Sequence, residues 1–281
     1  MSVQVKFTPL QVGHTQQLER LARRDGAWRH VPFPALCGVI EHPTRGAMLY
    51  DTGYAQAFLN ATSYYPTKLY RQLLPVTLAP EQQLPVQLKK IGIAADDVKT
   101  ILISHFHGDH IAGLTDFSQA QFIALKADVD HAAELRQKPW RAVFEGFLPD
   151  LLPQDFASRL QLADQGKAYA LPKWMAPFTT GFDLFEDGSV IALPLPGHSC
   201  GQMGLLLPQT QRGPVFLAAD SCWSIEAAMQ GALPAAPVAL ITQNWKKYAR
   251  TFHAVGAIAR REPDICCMPS HCQTAWNRYH A

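Results

Sequence analysis

The run Lys99-Thr100-Ile101-Leu102-Ile103-Ser104 leads directly into His105-Phe106-His107-Gly108-Asp109-His110, and this junction limits what the chain can become more than any other stretch. The first half is apolar and rich in β-branched residues, the pattern of a buried strand. The second half packs three imidazoles and a carboxylate into one short loop. Open α/β sheets gather their sites at such strand ends. Imidazoles this crowded repel one another once protonated, so the loop makes most sense around a bound cation. Neutral imidazole and carboxylate are donors that a first-row divalent metal takes readily. Two histidines two residues apart can reach one ion from an extended turn, and the Asp-His pair after them can turn to a second.

A chain of 281 residues can bury a sizeable core. Its 48% hydrophobic and 17% charged residues are those of a soluble globular protein. A net charge of +2 carries no polyelectrolyte signature, so no nucleic-acid partner is expected. Met1 to Phe7 alternates like a strand and lacks the apolar segment of a signal peptide. No apolar run is long enough to span a bilayer, so a cytoplasmic protein without a membrane partner is expected. The six cysteines then read as thiols rather than a disulfide framework. Homodimer formation is left open.

Periodicity and turn residues place the elements. Strands are expected at 36–41 and 47–50, forming a hairpin around the turn at 42–46, and helices at 55–74 and 84–91. After the strand at 99–104 come a strand at 121–125 and a helix at 128–137. Residues 138–180 differ: Trp140, Phe144, Phe147, Phe156, Trp174 and Phe178 alternate with prolines. They read as an aromatic-rich insertion in a single domain spanning 1–281, either capping a pocket or packing onto the core. Strands resume at 190–195, 204–207 and 215–219, followed by a helix at 242–261 and a last strand at 265–268. The apolar runs Ala47 to Asp51 and Val215 to Asp220 both end in aspartate, a coarse echo of two halves. Two β-rich halves with outer helices make an α/β protein, an αββα four-layer sandwich.

Three later residues share the strand-end context of the histidine loop. His198 follows the strand at 190–195, Asp220 ends the strand at 215–219, and His271 follows the last strand. The histidines at 14, 30, 42, 131, 253 and 280 lack this context and read as ordinary surface or core residues.

Together, His105, His107, Asp109, His110, His198, Asp220 and His271 resemble the ligand set of the metallo-β-lactamase superfamily: an HxHxDH loop, a Pro-Gly-His, a strand-terminal aspartate and a late histidine. Asp51-Thr52-Gly53 after an early strand fits as well. The resemblance runs from about Leu36 to His271. It implies an αββα fold holding two divalent ions, zinc foremost, with iron, manganese or cobalt as alternatives. It assigns His105, His107 and His198 to one ion and Asp109, His110 and His271 to the other. Asp220 bridges them, and Asp51 orients ligands by hydrogen bonds.

The implied activity is hydrolysis of a small, partly apolar lactone or ester by activated hydroxide, with Asp109 and Asp220 as the catalytic carboxylates. The order of motifs is most similar to that of the N-acyl-homoserine lactonases. These often place a tyrosine three residues after the bridging aspartate; Trp223 stands there and is taken to meet substrate. Thioester hydrolysis of the glyoxalase II kind, phosphodiester hydrolysis of the tRNA-processing kind and mononuclear iron chemistry of the persulfide-dioxygenase kind are the alternatives. Cys200, Cys222 and Cys272 each lie within two residues of an implied ligand and read as small apolar packing beside a crowded site.

Overall fold

The computed structural model describes residues 3–281, so Met1 and Ser2 of the N-terminal alternating stretch lie outside the described residues. The chain divides into two compact units. One comprises residues 6–16 and 34–161. The other comprises the segment up to Val5, residues 17–33 and residues 162–281.

The unit built on residues 34–161 is organised by a seven-stranded sheet. In chain order its strands are β1 (Lys6–Leu18), which runs on into the one-turn helix α1 (Glu19–Ala22), then β2 (His30–His42), β3 (Gly46–Tyr50), β4 (Val76–Thr77), β5 (Val98–Leu102), β6 (Gln121–Ala124) and β7 (Leu160–Leu162). Their spatial order is β4-β1-β2-β3-β5-β6-β7. The expected hairpin is present, with Gly38 opposite Tyr50 and His42 opposite Gly46. β3, β5 and β6 are mutually parallel, and their apolar runs are buried as a central parallel sheet requires. Because these strands are parallel, β3 and β5 deliver Asp51 and the histidine loop to the same end of the sheet.

Around this sheet run α2 (Gln56–Ala61), α3 (Lys68–Leu73), α4 (Leu84–Lys90), α5 (Gly108–Ile111), α6 (Lys126–Leu135) and α7 (Pro139–Phe144). The single helix expected at 55–74 is two. The hydroxyls of Thr62 and Ser63 donate back to the carbonyls of Phe58 and Asn60, and Pro66 has no N–H with which to continue. Side-chain hydrogen bonding of this kind leaves no trace in hydrophobic periodicity.

Residues 138–180 divide between the two units at 161/162. They hold α7, several short 3-10 turns and strand β7, and then β8 (Lys167–Ala170) and the start of β9 (Thr180–Asp183). β8 and β9 pair antiparallel and belong to the second unit's sheet. That sheet continues with β10 (Ile191–Pro194), β11 (Met203–Leu207), β12 (Val215–Ala219) and β13 (Cys266–Pro269), in the order β13-β12-β11-β10-β9-β8. Among the described residues, β12 and β13 are this sheet's parallel pair, and its other pairs are antiparallel.

The helices α8 (Ile225–Gln230), α9 (Trp245–Arg261) and α10 (Gln273–His280) also belong to this unit. Ser224 and Asn244 cap α8 and α9, each side chain accepting a backbone N–H of the first turn. The sequence reading gave α9 but neither α8 nor α10, whose six and eight residues are short for a periodic signal. Among the described residues no helix is long and apolar enough to cross a membrane.

Phe58 tests the core of the first unit. Its ring is fully buried and edge-on to Tyr54 at 5.0 Å and Tyr70 at 5.4 Å. Phe58→Ala should lower unfolding free energy by about 3–5 kcal/mol in urea titrations. An unchanged midpoint would mean that this cluster does not hold the unit together.

Candidate metal centre

In the first unit the site grows from the end of β3. The backbone turns at Asp51 through a positive φ of 60°, while its N–H stays bonded to Leu102 O of β5 at 2.9 Å. This places a carboxylate that is only 1% exposed beside the loop leaving β5. Oδ1 accepts the Ser104 N–H at 2.7 Å. Oδ2 accepts the Ser104 hydroxyl at 2.7 Å and lies 2.8 Å from His110 Nδ1. Thr52 reinforces the same neighbour: its N–H and hydroxyl both donate to His110 O, at 2.8 and 2.9 Å. His110 is therefore held at its ring and at its backbone. With Nδ1 donating to the carboxylate, Nε2 is left as the basic nitrogen, the state a metal ligand needs.

The neighbouring imidazoles crowd the same spot. The His105 ring centroid is 4.0 Å from that of His110 and 4.5 Å from that of His107. Ser104 Oγ also reaches His105 Nδ1 at 3.0 Å. Asp109 begins the short helix α5 and keeps some exposure, with Oδ1 3.9 Å from His110 Nε2.

In the second unit the loop after β10 carries His198. Gly197 has a φ of +132°, and a Cβ there would fall 2.1 Å from Tyr248 N, so only glycine lets the start of α9 approach so closely. That approach holds the loop: Asn244 N–H donates to Gly197 O at 3.0 Å, Gln243 N–H to His198 O at 3.1 Å, and Thr251 Oγ1 to Pro196 O at 2.9 Å. Asp220 follows Ala219, which has a φ of 47°. Its Oδ2 is met by His271 Nε2 at 3.1 Å, His198 Nε2 at 3.4 Å and the Trp223 indole N–H at 3.0 Å. The Trp223 ring lies edge-on to Phe33 at 5.8 Å and to His198 at 6.1 Å, and Phe33 is 6.1 Å from the His271 ring.

Gln202 ties these loops together and was not singled out in the sequence. It is fully buried. Its Oε1 accepts the Asp220 N–H at 3.2 Å, and its Nε2 donates to Leu195 O at 3.2 Å and to Ser221 Oγ at 3.1 Å. One side chain thereby fastens the start of the His198 loop to the aspartate. Nothing in a linear reading separates Gln202 from other glutamines; Ser104 could have been suspected from its place between strand and histidines.

Among the described residues, the candidate metal donors are His105, His107, Asp109 and His110 in the first unit and His198, Asp220 and His271 in the second. All are buried except His107 and Asp109, which are partly so. The donors are nitrogen and carboxylate oxygen, a set suited to a borderline divalent cation such as zinc. The residues present therefore fit such ions. The cysteines beside them are a different matter. Burial pushes the Cys222 thiol well up and the Cys272 thiol to about 11, so both stay protonated at neutral pH. Cys272 Sγ accepts the Ile225 N–H at 3.3 Å. Cys200 is exposed.

Comparison with known proteins bears on the family and the fold. A family model described as metallo-beta-lactamase superfamily matches residues 30–210. The N-acyl homoserine lactonase AttM of Azorhizobium caulinodans is 23% identical over 215 residues, covering 76% of this chain and 74% of that protein. A solved N-acyl homoserine lactone hydrolase, with the product N-hexanoyl-L-homoserine bound at its catalytic metal center, superposes with a TM-score of 0.70 at 18% identity. It covers 99% of this chain and 97% of its own. The dizinc quorum-quenching lactonase AidC, in complex with a product, gives a TM-score of 0.64 at 16% identity over 97% of this chain and 89% of its own.

Two substitutions check the supports. Asp51→Asn keeps the shape but removes the charge opposite His110, and should weaken zinc binding by about 10–100-fold in chelator competition. Gln202→Leu leaves the Asp220 N–H and the Leu195 carbonyl without their partner, and should destabilise the fold by about 1–3 kcal/mol in urea melts. Wild-type behaviour of either variant would remove that residue from the support.

Proposed function

This chain belongs to the metallo-beta-lactamase superfamily, with the fold that its sequence led us to expect, and from that premise we propose that it is a metal-dependent hydrolase that opens lactones. N-acyl homoserine lactones are the substrate class to try first, since relatives named as their lactonases align over most of the chain. The observation that carries the reading is the donor set itself, five histidines and two aspartates and nothing else among the described residues.

In this reading His105, His107 and His198 would hold one divalent ion, Asp109, His110 and His271 would hold a second, and Asp220 would contribute to both. Bound there, two such ions would supply Lewis acidity, lowering the pKa of a bound water towards neutrality and polarising a carbonyl oxygen.

The chain's own residues have separate tasks. Asp51 fixes the tautomer and direction of His110, and Gln202 with the turn at Ala219 fixes Asp220. Water adds to the lactone carbonyl carbon, the ring C–O bond breaks, and the departing alkoxide needs a proton. Asp109 is the group we assign to carry that proton, because it alone among the carboxylates of the set retains exposure. Trp223 cannot do so. Its indole has a single N–H, already given to Asp220 Oδ2, and no acidic proton at neutral pH. Its ring, with Phe33, instead offers an apolar edge that suits an acyl chain.

Metal analysis of the purified protein together with a substrate panel tests the proposal. Metal-loaded protein should open N-hexanoyl homoserine lactone with release of one equivalent of acid, faster than it cleaves an aryl ester, a thioester or bis-nitrophenyl phosphate. Chelation should abolish turnover and added zinc should restore it. Asp220→Ala should lower kcat/KM by about 1,000-fold or more while far-UV dichroism stays unchanged. Metal-loaded protein with no lactone hydrolysis above buffer would overturn the assignment.

A further inference from the structure

Helix α7 contributes no ligand, yet its C-terminus is built against one. Gly146 follows the helix with a φ of +73°. Its N–H returns to Val143 O at 3.1 Å and the Phe147 N–H to Ala142 O at 2.8 Å, the paired bonds of a glycine-terminated helix. Capping alone would account for a glycine here. It does not account for two further contacts. Gly146 O accepts the N–H of Gly108, the residue next to His107, at 3.0 Å. A Cβ on Gly146 would stand 3.1 Å from Cδ2, 3.3 Å from Cγ and 3.4 Å from Nε2 of His107. The His107 imidazole therefore rests on the bare backbone of Gly146.

The residues on either side repeat the arrangement. Phe147 lies edge-on to Phe106 at 6.3 Å, and a Cβ on Gly108 would meet Leu148 at 3.4 Å and Phe58 at 3.1 Å. The histidine loop is thus pinned to residues 146–148 before, at and after His107.

We infer that Gly146 is a positioning residue for His107. The end of α7 sets the direction of an imidazole on another segment, by giving it a bare backbone surface to rest on. The inference rests on reading His107 as a metal ligand, as proposed above. A side chain on Gly146 would crowd the ring and make it give way, and a supporting group of this kind typically changes metal affinity by about tenfold or more.

The test uses the full chain. Zinc affinity is measured by chelator competition, and ligand geometry by the visible absorption of the cobalt(II)-loaded protein. Gly146→Ala adds both backbone strain and a Cβ against the ring. Gly146→Asn relieves the strain, since asparagine tolerates positive φ, but keeps the Cβ. Gly46→Ala is the control: Gly46 has the same φ of +73°, and its Cβ would meet nothing within 4 Å.

Both Gly146 variants should bind zinc about tenfold more weakly and shift the cobalt bands, while Gly46→Ala keeps wild-type affinity and spectrum. In a His107→Ala background, Gly146→Ala should have no further effect on affinity. Should Gly146→Ala fail to fold, Gly146→Asn decides. Wild-type affinity and spectrum in the folded Gly146 variants, or an effect that persists without His107, would overturn the inference while leaving the hydrolase reading intact. Wild-type protein that holds no metal would overturn both.

Discussion

A carboxylate without water must find donors, and both halves of this chain are arranged around that requirement. An ionised carboxylate taken out of solvent loses several kcal/mol unless close hydrogen bonds and charges replace its hydration. Asp51 meets the demand with the Ser104 N–H, the Ser104 hydroxyl and His110 Nδ1, all within 2.8 Å. Charge-assisted bonds of this length are directional and strong. They leave the start of the histidine loop little freedom, because Asp51 itself is tied by its N–H to β5. The loop's order thus comes from the sheet rather than from the loop.

The second unit solves the same problem with the same device. A buried strand, β12, leads into an aspartate through a positive φ, and its parallel neighbour β13 is followed, two residues on, by a histidine. The Asp220 to His271 contact at 3.1 Å parallels the Asp51 to His110 contact at 2.8 Å. Parallel pairing is what makes this work, since it brings two strand ends, and so two loops, to one edge. The chemistry then diverges. Asp51 takes a third donor from a serine hydroxyl and lies wholly within a protein hydrogen-bond network. Asp220 Oδ2 instead faces two imidazole Nε2 atoms, which are nitrogens a metal can use. The echo seen between Ala47–Asp51 and Val215–Asp220 is therefore an echo of construction, with Asp51 enclosed by protein donors and Asp220 facing imidazole nitrogens.

Much of this was readable in the chain. Strand ends with histidine or aspartate just beyond them stand out because β-branched runs and ligand-type residues rarely adjoin by chance. Hence the hairpin, the strand ends and the seven candidate ligands could be named in advance. What escaped has a common physical character. Gln202 acts through three hydrogen bonds to backbone and serine groups far away in sequence, and such partners exist only once the fold does. Phe33 matters through the rings it meets, Trp223 and His271, not through any pattern around it. The break between α2 and α3 depends on hydroxyls competing for helix carbonyls, to which an apolar stripe is blind. The stretch at 138–180 drew notice for its aromatics, whereas much of what it gives each unit is edge strands whose alternation is weak, such as Lys167–Ala170 with three exposed residues in four.

Trp223 shows how a single donor constrains a site. Three nitrogens converge on Asp220 Oδ2, and only the indole among them is certain to bring a proton, since each histidine can present a lone pair instead. The indole N–H therefore fixes which way the carboxylate turns whatever the state of the imidazoles. A hydroxyl in its place could rotate and both donate and accept. The indole cannot, so orientation of Asp220 is gained at the expense of a second proton-transfer group beside it. Asp109, which opens α5 in the first unit, is by contrast partly exposed, and it is the carboxylate to which the proposed proton transfer is assigned.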